Sequence, residues 1–244
     1  MPRFFIPACP ENTDTLIIVG DDARHIARSL RMAVGDTVTV LCGDGLEHEC
    51  TLTRIRDEEC ECKVQSARPG SGEPPATITL YIAYPKGDKL ELVVQKAVEL
   101  GATKITPFES KRCIKRPKED RREKQTARLS RIAEEAAKQC GRAIIPEVTR
   151  TVSFDEMLSL AKEADIPLFC YEGEGCISLK QALYNNKEGA SISVIVGCEG
   201  GFAPEEAVAA KEAGLTPVNL GPRILRCETA PMYALSAISY EIEL

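Results

Sequence analysis

From Thr77 to the C-terminus, short β-branched runs alternate with helical stretches, and this grain restricts the fold more than any other feature of the chain. Strands are predicted at Thr77–Ala83, Lys104–Phe108, Leu168–Tyr171, Ile192–Val196 and Pro217–Leu220. Between them lie predicted helices at Lys89–Leu100, ended by Gly101 as the C′ residue, and from about Lys118 to Gln139. Further helices are predicted at Asp155–Ala164, with Ser153 as cap, at Leu179–Asn185, and from Pro204-Glu205-Glu206 to a stop at Gly214. An apolar helix, Thr229–Ile242, closes the chain. Strict alternation of this kind implies an α/β fold with a mainly parallel sheet covered on both faces.

The first part of the chain has a different texture. Arg3 to Ile6 reads as a short strand, Leu16-Ile17-Ile18-Val19 is an apolar run, and Asp21 or Asp22 is placed to cap a helix reaching about Met32. Val34–Gly45 then reads as turn, alternating strand and turn, and Thr51–Ile55 and Glu59–Val64 continue with period two. One helix among several short strands suggests a small barrel. Arg68-Pro69-Gly70-Ser71-Gly72-Glu73-Pro74-Pro75 breaks every pattern and has linker composition. The expected division is therefore a β-barrel domain over residues 1–70, a linker over 71–76 and an α/β domain over 77–244.

Two predicted strands end in loops with unusual content. Ser193-Val194-Ile195-Val196 breaks into Gly197-Cys198-Glu199-Gly200-Gly201-Phe202, and the last strand runs into Leu220-Gly221-Pro222-Arg223-Ile224-Leu225-Arg226-Cys227-Glu228-Thr229-Ala230. Ligands of open α/β sheets bind outside the carboxyl ends of strands, where backbone donors and acceptors are free. Glycines at 197, 200 and 201 permit positive φ and close approach of main chain to a flat ligand. A plain strand-to-helix turn explains the first loop equally well. The second weighs against it, because it sets Arg223, Arg226 and Glu228 among Ile and Leu just before an apolar helix.

These motifs resemble the paired signature of SPOUT methyltransferases of the RsmE type, which methylate N3 of a uridine in 16S ribosomal RNA. The resemblance extends to Lys86-Gly87-Asp88-Lys89, Gln95–Gly101 and Glu134–Arg142, and so covers most of the chain. Where the family usually has proline, this sequence has Cys198, which removes a fixed φ and adds an N–H. The resemblance implies a C-terminal SPOUT α/β trefoil-knot domain and a small N-terminal PUA-like β-barrel that binds RNA. It also implies S-adenosyl-L-methionine held by the knot loops, a homodimer in which each site borrows residues from the partner, and ribosomal RNA or the assembled small subunit as substrate.

Methyl transfer from a sulfonium needs alignment of donor and acceptor, with no metal. Gly197, Gly200, Gly201, Leu220, Gly221 and Leu225 are the candidates to hold the adenine by main-chain bonds, with Ile224 and Leu225 flanking it and Thr229 and Ala230 completing the cofactor set. The uracil N3 proton must leave before or during transfer, so a base, or a cation beside the developing anion, is needed. Arg226 is the candidate cation. Glu199 and Glu228 either orient an arginine or accept the proton, and Glu228 would also suit the N-terminus of the last helix.

Net charge is −6, which argues against binding nucleic acid through bulk positive field but leaves room for local stripes. Arg24, Arg28 and Arg31 share one face of the predicted helix. Lys111, Arg112, Lys115 and Arg116 begin a longer basic run. With Arg3, Lys86 and Lys89 these are the candidate RNA contacts; solvated faces and turns are the simpler alternative. Lys96 and Glu99 are expected to pair with each other, and Glu135, Gln139 and Arg142 to share a helix face that the resemblance puts near the site or the dimer contact. Eleven cysteines without C-x-x-C spacing, and only two histidines, suggest reduced, buried thiols and no metal. No apolar run is long enough for a membrane span and no signal peptide is apparent, so a cytoplasmic protein is expected. The function predicted is S-adenosylmethionine-dependent methylation of N3 of a specific uridine in small-subunit ribosomal RNA. The alternative is a non-catalytic RNA-binding protein with the same two domains. A phosphate-binding α/β protein ranks last, because the G-x-G-x-x-G order and the P-loop lysine are missing.

Overall fold

The structure is a computed structural model that describes residues 1–10, 14–114, 119–184 and 189–244. The chain divides into two compact units, Met1–Glu73 with Ala137–Ile145, and Pro74–Ala136 with Pro146–Leu244.

In the first unit β1 (Arg3–Phe5), β2 (Thr15–Val19), β3 (Thr37–Leu41), β4 (Leu46–Ile55) and β5 (Glu59–Pro69) form one sheet in the order β1-β3-β4-β5-β2. Only the β1–β3 pair is parallel. The two-residue period sorts side chains as expected: Leu16 and Ile18 of β2 are buried while Ile17 and Val19 face outward. Cys60 and Cys62 go inward together on β5, joining Phe4, Ile26, Val38, Val40, Cys50 and Leu52 in the core.

The helix after β2 departs from expectation. α1 (Gly20–Arg24) starts without a side-chain cap, so Asp21 and Asp22 sit inside its first turn, where carboxylates favour the positive helix end. From His25 to Ser29 the turns widen to π geometry, and the Leu30 N–H reaches the His25 carbonyl at 2.9 Å. The helix ends there, and Arg31 takes a left-handed φ of 50°. Arg24, Arg28 and Arg31 therefore do not line one α-helical face.

The stretch with linker composition is packed. β5 runs to Pro69, the Gly70 N–H donates to the Gly45 carbonyl at 2.9 Å, and Glu73 accepts bonds from Arg142 and from the N–H groups of Ala143 and Ile144. A Cβ on Gly70 would lie 2.5 Å from that of Ala143, so glycine serves close packing there rather than looseness. The expectation that all thiols are reduced is also corrected: Cys9 and Cys42 form a disulfide, because the turn after β3 brings Cys42 beside the loop that follows β1.

The second unit begins with β6 (Thr77–Ala83), α2 (Lys89–Glu99) and β7 (Lys104–Glu109). A 3-10 turn at Glu119–Arg121 leads into α3 (Arg122–Cys140), then β8 (Glu147–Val148), β9 (Val152–Ser153), α4 (Phe154–Ala161), β10 (Ile166–Cys170), β11 (Ile177–Ser178) and α5 (Leu179–Leu183). β12 (Ser191–Val196), α6 (Pro204–Glu212), β13 (Thr216–Asn219) and α7 (Thr229–Glu243) complete it. The expected start of α3 near Lys118 and the expected end of α5 at Asn185 lie outside the described residues.

The sheet runs β11-β13-β10-β12-β6-β7-β8, with β9 also on β7, and every pair is parallel. β6 and β12 sit at its centre and are buried along nearly their whole length, as both-face coverage requires. Ser153 caps α4 by accepting from the Glu156 N–H, as its position before the helix suggests. α3 ends at Cys140 and Gly141 turns left-handed, so Arg142 leaves the helix and does not share a face with Glu135 and Gln139. It is buried instead on Glu73 at 2.7 Å.

Four of the six phenylalanines meet at one place. Phe202 lies 4.3 Å from Phe169, stacks on Phe108 at 6.3 Å and touches Phe154 at 6.4 Å, all ring centroid distances. Such a cluster anchors the loop after β12 to three other elements of the unit.

Candidate functional site

The carboxyl ends of β10, β12 and β13, three neighbours in the sheet, each release a glycine-bearing loop, and the loops enclose a cavity of about 950 Å³. The loop after β12 supplies Gly197 to Phe202, and that after β13 supplies Leu220 to Cys227. Sequence reasoning missed the third, Cys170 to Gly173 with Gly175 and Cys176 after β10, although its strand-then-glycine pattern matches the other two. Lys89 after β6 and Arg112 after β7 complete the wall, so five adjacent strands contribute.

The glycines act differently from one another. Gly201 alone of the three in the first loop has a left-handed φ, 64°, and its N–H closes a tight turn onto the Cys198 carbonyl at 2.9 Å. At Gly197 a Cβ would press to 3.1 Å from Phe202 and 3.2 Å from the Gly201 Cα, and at Gly200 to 3.2 Å from Arg112. Close approach, not positive φ, is what requires glycine at those two positions. Gly221 in the second loop is left-handed at 101°.

Cys198 occupies its place without disturbing this turn. Its thiol is buried with that of Cys113, which in turn accepts from the Ser110 N–H at 3.4 Å. The hydrogen bond from Cys113 lowers the Cys198 pKa and correspondingly raises that of Cys113. Buried Glu206 fastens the same region, accepting from the Ala203 N–H at 2.9 Å and the Lys111 N–H at 2.8 Å. Arg112 donates to the Gly200 carbonyl at 2.8 Å. Lys111 and Arg112 are thus held at the first loop, Lys111 also pairing with Glu205 at 2.6 Å. Lys115 and Arg116 lie outside the described residues.

Charge at the wall centres on Lys89, not on arginine. Its ammonium lies 3.1 Å from Glu199 and 3.2 Å from Glu228, and Glu199 also accepts the Lys86 N–H at 3.1 Å. These two carboxylates raise the Lys89 pKa, Glu199 most. Burial pushes the Glu199 carboxyl up, but bonds from its own N–H, Lys89 and Lys86 outweigh it and hold the group below the ordinary carboxylate range. Glu228 follows the same balance, with the Cys227 thiol donating to it at 3.2 Å. Burial, then Glu228, pushes that thiol up to about 12.

Arg226 lines the cavity and is exposed, and its guanidinium makes no hydrogen bond or ion pair with the described residues. Neither Glu199 nor Glu228 orients it; both are committed to Lys89. Its carbonyl accepts from Thr229 and Ala230 at 2.8 and 2.9 Å, which starts α7 and fixes the arginine at the helix mouth. Glu228 directly precedes α7 but gives no cap bond. Of the remaining candidates, Leu220, Ile224, Leu225 and Ala230 line the cavity with Gly197, Gly200, Gly201 and Gly221, while Thr229 and Glu228 do not. Ile224 is 83% exposed.

The other basic candidates are mostly occupied. Arg3 is bound to the Gly141 carbonyl at 2.9 Å and to buried Glu47 at 2.6 Å, Arg24 to Asp21 and Glu58, and Arg28 to Asp57. Arg31 and Lys86 are exposed. Lys96 pairs with Glu99 at 2.8 Å, as the spacing suggests.

Comparison with known proteins gives consistent matches. Residues 72–239 match the family described as RNA methyltransferase domain, and residues 18–65 that described as RNA methyltransferase PUA domain. The chain is 36% identical to ribosomal RNA small subunit methyltransferase E of Bacillus subtilis (strain 168), across all of this chain and 98% of the relative. It is 30% identical to the protein of the same name from Synechocystis, across 94% of this chain and 74% of that one. Among solved structures it is similar to a ribosomal RNA small subunit methyltransferase E from Neisseria gonorrhoeae bound to S-adenosyl methionine. That match has a TM-score of 0.84 and 32% identity, covering 98% of this chain and 97% of the other.

Proposed function

This chain belongs to the RNA methyltransferase family, and from that membership we propose that it is an S-adenosylmethionine-dependent methyltransferase of small-subunit ribosomal RNA, acting on N3 of a uridine. One arrangement carries the proposal: three glycine loops at neighbouring strand ends, around a cavity that has an uncommitted arginine in its wall. About 950 Å³ lies within the usual range for small-molecule sites, ~300–1,000 Å³. Gly197 and Gly200 are held to glycine by Phe202, Gly201 and Arg112 pressing on them, which leaves a wall of bare main chain beside the cavity.

S-adenosylmethionine, when bound, supplies an electrophilic methyl group on a sulfonium. The backbone of Gly197, Gly200, Gly201, Leu220, Gly221 and Leu225 would hold it, with Ile224 and Ala230 also in the cavity wall and Thr229 setting the turn into α7. Arg226 stabilises the negative charge that grows on the uracil oxygens as N3 loses its proton, a role that needs a permanent cation with donors to spare. Glu199 and Glu228, held ionised by bonds from their own N–H groups and then by Lys89, joined at Glu228 by the Cys227 thiol, act as positioning groups for Lys89; their lowered pKa values make them poor acceptors of that proton.

The proposed domains are 1–70 for RNA binding and 77–244 for catalysis, joined by 71–76, the second with the trefoil knot of its family and paired as a homodimer. Extended RNA contact offsets the few kcal/mol needed to flip out a stacked base. Arg31 and Lys86 are the freest of the cations proposed to meet phosphate; Arg24, Arg28, Lys111 and Arg112 would exchange carboxylate or carbonyl partners for it. The proposed location is the cytoplasm and the proposed substrate the assembled small subunit; among the described residues no helix is long and apolar enough to cross a membrane. Calorimetry tests the cofactor: S-adenosylhomocysteine binds and ATP and NAD do not. Mass mapping of N3-methyluridine in small-subunit RNA from cells lacking the protein tests the product, and an unchanged map rules the reaction out.

A further inference from the structure

The first unit gathers four side chains of metal-ligand type at one end of its sheet. Cys9 leaves the loop after β1, Cys42 and Asp44 lie in the turn between β3 and β4, and His48 is the third residue of β4. Their ligand atoms, two sulfurs, a carboxylate oxygen and a ring nitrogen, all lie within 4.8 Å of one another. His48 Nε2 is 3.5 Å from Cys9 Sγ and 2.9 Å from Asp44 Oδ2. His48 and Cys42 are buried, Cys9 is half-buried and Asp44 is exposed, so the group opens to solvent on the side of Asp44 and Cys9.

We propose that this cluster, once its Cys9–Cys42 bond is reduced, is a structural zinc site with Cys9, Cys42, Asp44 and His48 as its four ligands. The donor set of two thiolates, one imidazole and one carboxylate is of the borderline-soft kind that zinc takes tetrahedrally. With Zn–S about 2.3 Å and Zn–N about 2.0 Å, a tetrahedral site separates sulfur from nitrogen by about 3.5 Å, the spacing already present between Cys9 and His48. The sulfurs must part to about 3.8 Å and the Asp44–His48 pair must open by about half an ångström. Cα atoms of Cys9 and Cys42 are 5.2 Å apart, close enough for either state without moving strands.

The chemistry balances with a thiol reductant as co-reactant. It passes two electrons and two protons to the Cys9–Cys42 bond and is itself oxidised to a disulfide; zinc then displaces both thiol protons to solvent. Binding joins the loop after β1 to the β3–β4 turn, as the disulfide does, so the two states are alternative clasps of the same place.

The test uses the full chain, reduced with thiol, stripped with chelator and reloaded with Zn²⁺ or Co²⁺. The expected result is about one zinc per chain by elemental mass spectrometry, and for Co²⁺ the thiolate charge-transfer and visible bands of a tetrahedral site. Oxidised chain should show neither. The Cys9→Ser/Cys42→Ser variant should lose both signals, and Cys140→Ser, half-buried and outside the cluster, should keep them. Should the double variant fail to fold, alkylation of the reduced wild type decides: zinc protects Cys9 and Cys42 and leaves Cys140 reactive. Zinc uptake unchanged in the double variant, no uptake by the reduced chain, or equal alkylation with and without zinc each overturns the proposal.

Discussion

Three arginines of the first unit and two at the cavity wall are one chemical group in opposite situations. Arg3, Arg24 and Arg28 each face a carboxylate, whereas the guanidinium groups of Arg223 and Arg226 make no hydrogen bond or ion pair with the described residues. Glu228 stands close in sequence to the second pair, but Lys89 binds it together with Glu199. A guanidinium stays charged wherever it sits, so what varies is whether its donors are spent inside the protein. Both acids pair with Lys89, and neither pairs with Arg226.

The contrast is sharpest at Arg226. Replacing it with Ala should lower methyl transfer by about 10²–10³-fold, as loss of one transition-state donor does, with the melting curve unchanged. Labelled-methyl incorporation into small-subunit RNA is the measurement, and wild-type turnover would erase the distinction drawn above.

Gly197→Ala comes next, because its Cβ meets Phe202 and the Gly201 backbone at once. Weaker S-adenosylhomocysteine binding with a lowered melting temperature is expected, while Gly201→Ala should cost about 1–2 kcal/mol in denaturant unfolding for its left-handed φ.

Lys89→Met probes that pairing itself. With the ammonium gone, Glu199 and Glu228 should titrate higher, toward the ordinary range, and one of them should turn to Arg226, lowering kcat without unfolding the chain. In the wild type their depressed pKa values contribute stability that is present above the unfolded carboxylate pKa, about 4.3, and is lost as pH falls through the lower folded values. Urea titrations across that window should show a shallower pH slope in Glu199→Gln than in the wild type; identical slopes would remove Glu199 from the account.

The smallest effect is expected in the first unit. Arg24→Ala and Arg28→Ala break exposed pairs, so the melting temperature should stay within error. RNA affinity should fall modestly and with a reduced salt slope. A loss of turnover as large as that at Arg226 would show that paired and unpaired arginines are not the useful division.

Local pattern alone was enough for most of the second unit. Five strands and the helices between them follow from β-branched runs, glycine stops and caps such as Ser153, all of which act within a turn or two of chain. β8, β9 and β11 escaped because two residues carry no period. The π turns after Arg24 escaped because hydrogen-bond spacing within a helix leaves no mark in composition. Arg68–Glu73 misled for a related reason: glycine is equally suited to a loose linker and to backbone pressed against Ala143 and Gly141. At the candidate site, the loop with adjacent glycines and the loop with two arginines stood out, and the loop from Cys170 to Cys176, which also brings Glu172 to the cavity, did not.

By itself, then, the chain's residue order determined most of the longer strands and helices, that the second unit is α/β with a parallel sheet, and that glycines crowd at two of its strand ends. Those properties depend on neighbours a few positions away. Only the tertiary structure decided that β12 lies between β10 and β6, that Lys89 from one strand end meets two acids from others, and that Cys9 finds Cys42 and His48. Each of these depends on groups far apart in sequence being carried to one place by the whole fold, and a side chain's free charge is whatever those distant neighbours leave unspent.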